Sequence, residues 1–476
     1  MRFGPIAVVP FWSQSDNLNV DSNYAYLRIV LPEMIRQDSS LLFLLFFPDP
    51  AHGADQWRFT PDGLEEHERI QLIPYPYGTS MRQSVIAFDS PRFQHIDMTY
   101  GPVQYWLHQV ESGIFASGGA MQSFNDAARP SLVAQHHYIV HESLPYTRYP
   151  LKSLFNRLWQ QMGGSLASDV VVYNSGHARS MAHDTFSQFL LSRHMQELED
   201  KSITLPFGLV SGDEPAAPEA RQQSPVFIYN HRFEGYKRPD LTFAVLESLS
   251  AAGHSFEVWA TQAYGQHISG KRYHIDRDIF RASRADYLQI CAVPAINTIN
   301  SEHETFCISI LDSMMLGHLI VAPNAVTFPE LLPDGYPYLF NSTEEQEAML
   351  ASILSTWPAE YNTWRTRLIA HARSHFNLSE YTRNYLYLMQ KVEERYRQDK
   401  PKEHIMEAYR QLFAAMIPYQ PYTPKELRVK LNRLSPTGAG TQAFPARRII
   451  RDALRFRDDI EIVWDRGLKL VRQVQN

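Results

Sequence analysis

Short apolar runs alternate with stretches of helical spacing along most of the chain. Ile6-Ala7-Val8-Val9 reads as a buried strand, followed by a polar loop carrying Asn17, Asn19 and Asp21. Tyr24, Leu27, Val30, Leu31 and Met34 then recur at intervals of three and four, which predicts a helix over 24–35. Residues 41–47 are continuously apolar, as a strand covered on both faces of a parallel sheet must be. Tyr138-Ile139-Val140 and Val170-Val171-Val172-Tyr173 read the same way, and each runs into polar residues: His141-Glu142-Ser143 and Asn174-Ser175. This alternation predicts an α/β domain of doubly wound type, in which ligands sit beyond the carboxyl ends of the strands.

Residues 211–224 are rich in Pro, Ala, Glu and Gln and read as a linker, after which the alternation restarts. Strands are predicted over 226–229, 255–260, 295–299 and 319–321, and helices over 239–252, 285–291, 306–316 and 381–398. The expected organisation is one Rossmann-like domain over 1–210 and a second over 225–378, facing each other across a cleft. A connecting helix over 379–400 leads into a different texture over 401–476. There Thr423, Pro424 and Glu426 supply an N-cap, a first-turn proline and a third-position acid, predicting a helix through Leu434. A turn follows over 435–440, then a basic helix from Pro445 through Phe456. Two alternating runs around Asp465-Arg466-Gly467 signal a hairpin. Helix, turn, helix and hairpin in that order describe a winged-helix-like module.

Composition narrows the class. At roughly 100–200 residues per domain, 476 residues suit two or three domains, and 44% apolar residues exclude disordered and fibrous classes. Cys291 and Cys307 are the only cysteines, too few for a disulfide framework or a cysteine zinc site, and they fit a reducing cytoplasm. The longest apolar run, seven residues, is far below the roughly 20 of a membrane helix, and the N-terminus does not resemble a signal peptide. The net charge of −6 conceals an asymmetry. Residues 423–476 carry twelve positive and six negative side chains, a net of +6, so the other 422 residues carry −12.

Three segments hold candidate chemistry. In 301–330 (SEHETFCISILDSMMLGHLIVAPNAVTFPE), Glu304 lies in a loop before a helix and Asp312 eight residues later on that helix. A helix start offers amides to an anion, and a carboxylate there can accept from sugar or ribose hydroxyls. An acidic helix start with Asp312 on a solvated face is the plainer alternative. In 228–239 (IYNHRFEGYKRP), Arg232 and Lys237 follow a strand and suit a pyrophosphate, one as a fork and one as a point charge. A solvated basic loop is the alternative. In 139–150 (IVHESLPYTRYP), His141 follows a strand of the first domain, where a neutral imidazole can hydrogen-bond a sugar or assist an acceptor hydroxyl; a structural histidine is the alternative. Adjacent His136 and His137 on a strand point to opposite faces, which argues against a metal pair.

The order of HES, SDVVVYNS, IYNHRFEGYKRPD and HETFCISILDSMMLGHLIVAPNAVTFPELLPDGYPYLF resembles the retaining GT-B glycosyltransferases, nearest the branch that includes the queuosine-tRNA mannosyltransferases. The resemblance spans roughly 138–340. It implies that a nucleoside-diphosphate sugar binds the second domain: Arg232 and Lys237 on the diphosphate, Glu304 on the sugar with Thr305 and Phe306 beside it, and Asp312 on the ribose. His141 would face the transferring sugar, and no metal or other cofactor is implied. Asp312 stands where the family usually has Glu. The loop PFWSQSDNLNVDSNYAY lacks the family's glycine pair after the first strand.

The acceptor is read from the basic tail. Arg447, Arg448, Arg451 and Arg455 line one side of the expected recognition helix, and Lys425, Arg428 and Arg466 add to the same footprint. A solvated oligomerisation tail is the alternative, and the oligomeric state stays open. These features point to a cytoplasmic transferase, in a bacterium or a phage-infected host, acting on a 5-hydroxymethylpyrimidine in DNA. A tRNA-queuosine mannosyltransferase and a non-catalytic DNA-binding protein on a degenerate transferase fold are the competing readings. No membrane partner is expected.

Overall fold

The structure, a computed structural model, describes residues 6–9, 22–49, 64, 67–76, 104–107, 131–137, 139, 151–221, 224–261, 274–279, 282, 284–398, 421–422, 460–465 and 468–473. Seven strands form the first sheet: β1 (Ile6–Val9), β2 (Phe43–Asp49), β3 (Ile70–Pro76), β4 (Gln104–Leu107), β5 (Ser131–His136), β6 (Val170–Tyr173) and β7 (Ser202–Thr204). They pair in parallel in the order β3-β2-β1-β4-β5-β6-β7. The helix Ser22–Gln37 buries Leu27, Val30, Leu31 and Met34 completely, at the predicted spacing. Each such side chain contributes about 1.5–3 kcal/mol relative to exposure.

The second sheet holds β8 (Val226–Tyr229), β9 (Glu257–Ala260), β10 (Arg277–Asp278), β11 (Ala295–Thr298), β12 (Leu319–Pro323) and β13 (Leu339–Phe340). Its order, β10-β9-β8-β11-β12-β13, is again wholly parallel. The strand order reverses between β8 and β11. The loops after these two strands therefore flank the switch point at which open α/β sheets bind ligands.

The strand predicted at Tyr138–Val140 is displaced. The strand is β5, buried at all six positions, while Ile139 is buried beyond its end. Polar residues disguised it: Gln135 accepts from the Tyr385 hydroxyl at 3.2 Å, and His136 meets Ser165 Oγ at 2.8 Å. His136 stacks on Tyr173, whereas His137 packs on Phe207 and Tyr26, so the two rings have different neighbours.

Two chain segments cross between the domains. The Val210 amide donates to the Phe376 carbonyl at 3.0 Å and the Leu378 amide to the Val210 carbonyl at 2.9 Å. Gly208 sits in this crossing, where a Cβ would collide with the Asn377 carbonyl and the Tyr381 side chain. Past it, the helix Leu378–Gln398 returns to the first domain. Gln37 donates to Ser379 and Thr382 on this helix, and the Tyr26 and Tyr381 hydroxyls meet across it. The stretch read as a linker is held to the second domain: the Ala217 amide donates to the Leu316 carbonyl at 2.9 Å, and Asn362 brackets Ala220.

A third sheet, β14 (Pro421–Tyr422), β15 (Ile460–Asp465) and β16 (Leu468–Gln473), is antiparallel in the order β14-β16-β15. β15 and β16 pair antiparallel with Asp465 opposite Leu468, where the hairpin was predicted; residues 466–467 lie outside the described residues. The helices predicted over 423–434 and 445–456 lie outside the described residues.

Candidate active site at the switch point of the second sheet

Beyond β8 the chain runs through Asn230–Glu234 into a single 3-10 turn, Gly235–Lys237, and then the helix Pro239–Ala251 with proline at its first position. Between them Arg238 takes φ +47°, a left-handed conformation unusual for a side-chain-bearing residue. Its guanidinium is anchored to Asp240 at 2.9 Å and to Glu302. Glu302 belongs to the loop after β11, and its amide donates to the Tyr236 carbonyl at 2.9 Å. The two switch-point loops are thus stapled together, which fixes the direction of Lys237.

Lys237 Nζ meets the Glu304 carboxylate, and both side chains are nearly sealed from solvent, at 9% and 10% exposure. Burial by itself would lower the lysine pKa; the adjacent Glu304 charge outweighs it and carries the ammonium above its ordinary value. Lys237 is therefore an ammonium at neutral pH. Arg232, four residues after the middle of β8, is exposed and lies against the Tyr236 hydroxyl and ring. Glu304, Lys237 and Arg232 therefore share one place, around the Tyr236 ring.

Asp312 lies on the helix Ile308–Leu316, whose N-cap, Cys307, makes no side-chain capping bond. Its two carboxylate oxygens receive the two terminal nitrogens of Arg284, a fork that nothing in the sequence flagged. Burial would lower the arginine pKa, but Asp312 raises it further. Thr305 and Phe306, next to Glu304, face the first domain. The Thr305 hydroxyl donates to the His137 carbonyl of the first domain, and the Phe306 ring is core, packed on Phe207 and Phe376 at centroid distances of 4.9 and 5.8 Å. Both side chains thus join the second domain to the first.

Below the ion pair lies a buried polar network. Asn297 Nδ2 donates to Asn230 Oδ1 at 2.7 Å and to Ser313 Oγ at 3.0 Å, leaving its own Oδ1 to accept from His231 Nε2 at 3.2 Å. His231 Nδ1 then accepts from Ser309 Oγ at 2.7 Å, and Ser309 lies 3.2 Å from Cys307 Sγ. With Nε2–H donating to Asn297 and burial keeping the ring neutral, Nδ1 is left as the acceptor for Ser309. Burial first, and then the nearby Lys237 charge, push the His231 pKa down to about 3. Burial likewise pushes the Cys307 thiol up to about 12. Asn230 and His231 stand inside the quoted IYNHRF segment; only tertiary contact shows that they brace the site.

The first domain closes on the same loop. Asn174 donates to Thr305 Oγ1 at 3.3 Å, and Ser175 Oγ donates to the Thr305 carbonyl. Glu330, from the second domain, accepts the Gly176 and His177 amides at 2.7 and 2.6 Å. His141 lies outside the described residues, as do Lys425, Arg428, Arg447, Arg448, Arg451, Arg455 and Arg466. Among the described residues no group of three or more metal-ligating side chains converges, and no helix is long and apolar enough to cross a membrane.

Two wholly parallel doubly wound sheets, joined at a double crossing with a C-terminal helix returned to the first domain, make this a GT-B fold. No protein-family model matches the chain. Among solved structures, the fold is similar to that of HepE from Anabaena in complex with UDP and glucose. The TM-score is 0.56 at 16% identity, over 81% of this chain and 99% of that one. Sucrose-phosphate synthase from Thermosynechococcus elongatus gives a TM-score of 0.57 at 13% identity, over 82% and 98% of the two chains. The lipopolysaccharide outer core galactosyltransferase WaaB gives 0.53 at 12% identity, over 82% and 99%.

Proposed function

We propose that this protein is a retaining glycosyltransferase that moves a sugar from a nucleoside-diphosphate sugar to a hydroxyl on a modified pyrimidine of DNA. The observation that carries the transferase reading is the meeting of Lys237 with Glu304, beside Arg232 and the helix bearing Asp312, at the switch point of a GT-B fold. In this reading Arg232 and Lys237 hold the diphosphate and stabilise its charge as the glycosidic bond breaks. Glu304 accepts from sugar hydroxyls, Asp312 receives the ribose, and His141 faces the transferring sugar. The two cations supply the positive charge needed at the leaving group, so the proposed chemistry needs no metal ion. Retention is proposed from the motif resemblance alone.

The DNA acceptor rests on charge: a +6 segment over 423–476 on a −12 body is the electrostatic footprint of a protein that grips nucleic acid at one end. Lys425, Arg428, Arg447, Arg448, Arg451, Arg455 and Arg466 are the proposed DNA contacts, on a winged-helix-like module. A target base would be flipped to reach the site. The motif branch favours one second reading, mannosylation of queuosine in tRNA.

Incubation with radiolabelled UDP-, GDP- and ADP-sugars separates these readings. Label in 5-hydroxymethylated DNA but not in plain DNA is expected. Label in total tRNA alone selects the second reading. No label in any nucleic acid, with DNA affinity intact in the Glu304→Ala and Lys237→Ala variants, selects a non-catalytic DNA-binding protein.

A further inference from the structure

We propose that Gln346, on a helix away from the switch point, is a positioning residue for Glu304: through Asn300 it fixes the loop that presents the Glu304 carboxylate. The proposal rests on the reading of Glu304 as the group that accepts from the donor sugar, and adds the distant side chain that aims it.

Gln346 is fully buried on the helix Thr343–Thr356, which follows β13. Asn300, also buried, lies just past β11 in the loop that carries Glu304. The two carboxamides face each other head to tail. Asn300 Nδ2 donates to Gln346 Oε1 at 2.8 Å, and Gln346 Nε2 returns a bond to Asn300 Oδ1 at 2.9 Å. Gln346 Nε2 also donates to Thr298 Oγ1 at 2.8 Å, and the Thr242 hydroxyl donates to Asn300 Oδ1 at 2.7 Å. One group sets all these directions. The Val321 carbonyl can only accept, so the Thr298 hydroxyl donates to it at 3.2 Å and itself accepts from Gln346. The Gln346 nitrogen therefore faces Thr298 and Asn300 Oδ1, and its oxygen is left for Asn300 Nδ2. The Asn300 carboxamide has one orientation as a result.

From Asn300 the loop is short and tied down as it goes. Ser301 Oγ donates to the His303 carbonyl at 3.1 Å, the Glu302 amide donates to the Tyr236 carbonyl at 2.9 Å, and Glu304 then meets Lys237. Thr242 stands in the first turns of the helix Pro239–Ala251, directly after Lys237 and Arg238. Asn300 thus ties the Glu304 loop to the element that follows its lysine partner. A hydrocarbon of the same length could fill the space of Gln346, but it could not specify how Asn300 turns. That difference separates positioning from packing.

Turnover of UDP-glucose, GDP-mannose and ADP-glucose by the full chain tests this. Release of the nucleoside diphosphate, with 5-hydroxymethylated DNA and total tRNA present, counts every turnover whichever acceptor takes the sugar, water included. Rates are expressed per folded molecule, with the folded fraction read by circular dichroism. Gln346→Met is expected to lower kcat about 10- to 100-fold, with KM for the donor within about threefold of the wild type. Gln346→Glu supplies a second readout. Its protonated acid can rebuild the head-to-tail pair with Asn300, whereas its ionised form has no proton to give. A buried glutamic acid titrates near roughly pH 8–9, so kcat relative to the wild type is expected to fall about 10-fold between pH 6 and 10. A merely structural role changes the folded fraction and leaves both readouts still. Wild-type kcat in folded Gln346→Met, or a pH-independent ratio for Gln346→Glu, overturns the role of Gln346 and leaves the transferase reading standing. Failure of the wild type to turn over any of the three donors overturns both.

Discussion

Ser175 Oγ, at the start of a first-domain helix, donates to the Thr305 carbonyl at 2.5 Å, one residue from Glu304 in the second domain. The same oxygen accepts from the Ala178 amide at 3.0 Å and so caps the helix Gly176–Ser187. One hydroxyl thus ties the seating of the Glu304 loop to the first domain. Ser175→Ala removes both bonds. Loss of the cap is expected to cost about 1 kcal/mol of stability, read by chemical denaturation. The transfer rate should fall further than this stability loss explains, because Glu304 loses its brace.

Glu330 strengthens that closure from the other side, its carboxylate on the amides of Gly176 and His177 at a helix N-terminus. Glu330→Ala leaves these amides to water and is expected to favour separation of the domains. Small-angle scattering should show a larger radius of gyration than the wild type, while nucleotide binding to the second domain persists. An unchanged radius would mean that other contacts dominate closure.

Breaking the Lys237–Glu304 pair leaves a buried charge alone. Glu304→Gln is expected to lower stability by roughly 3–5 kcal/mol and to abolish transfer. The sign of its pH dependence follows from Lys237. Its pKa is raised on folding, so this stabilisation is fully present below the unfolded lysine value and disappears only as pH rises through the higher folded one. Stability measured between pH 6 and 9 should therefore not vary through this pair.

Acid acts through histidine instead. Burial holds His231 down to about 3 and His318 to about 4, whereas both titrate near 6.5 when unfolded. The unfolded chain binds more protons in that window, so stability is present above pH 6.5 and is lost as pH falls toward these values. His231→Gln removes one such group. The variant's loss of stability between pH 6.5 and 4 should be shallower than that of the wild type by up to about 1.4 kcal/mol per pH unit.

Gly208 lies where the two crossing segments touch. Gly208→Ala forces apart backbone that cannot yield as a side-chain tip would. A drop in melting temperature of several degrees, with expression reduced, is expected; a melting temperature equal to that of the wild type would show that the crossing relaxes freely.

The sequence by itself determined the alternation of strands and helices and the double α/β architecture, and it put Lys237 and Glu304 each in a loop after a strand. These are read from local periodicity and from positions after strand ends, which neighbouring residues dictate. Residues 131–136 escaped because hydrophobic patterning does not register a strand whose buried polar side chains find partners far along the chain, as Gln135 does with Tyr385. The partners of Arg284, Glu330 and Ser175 escaped for the same reason. Arg284 and Asp312 are 28 residues apart, and Glu330 lies 154 residues from Gly176. Only tertiary structure decides such pairings, because a charge or a hydroxyl in sequence carries no record of which distant group desolvates it.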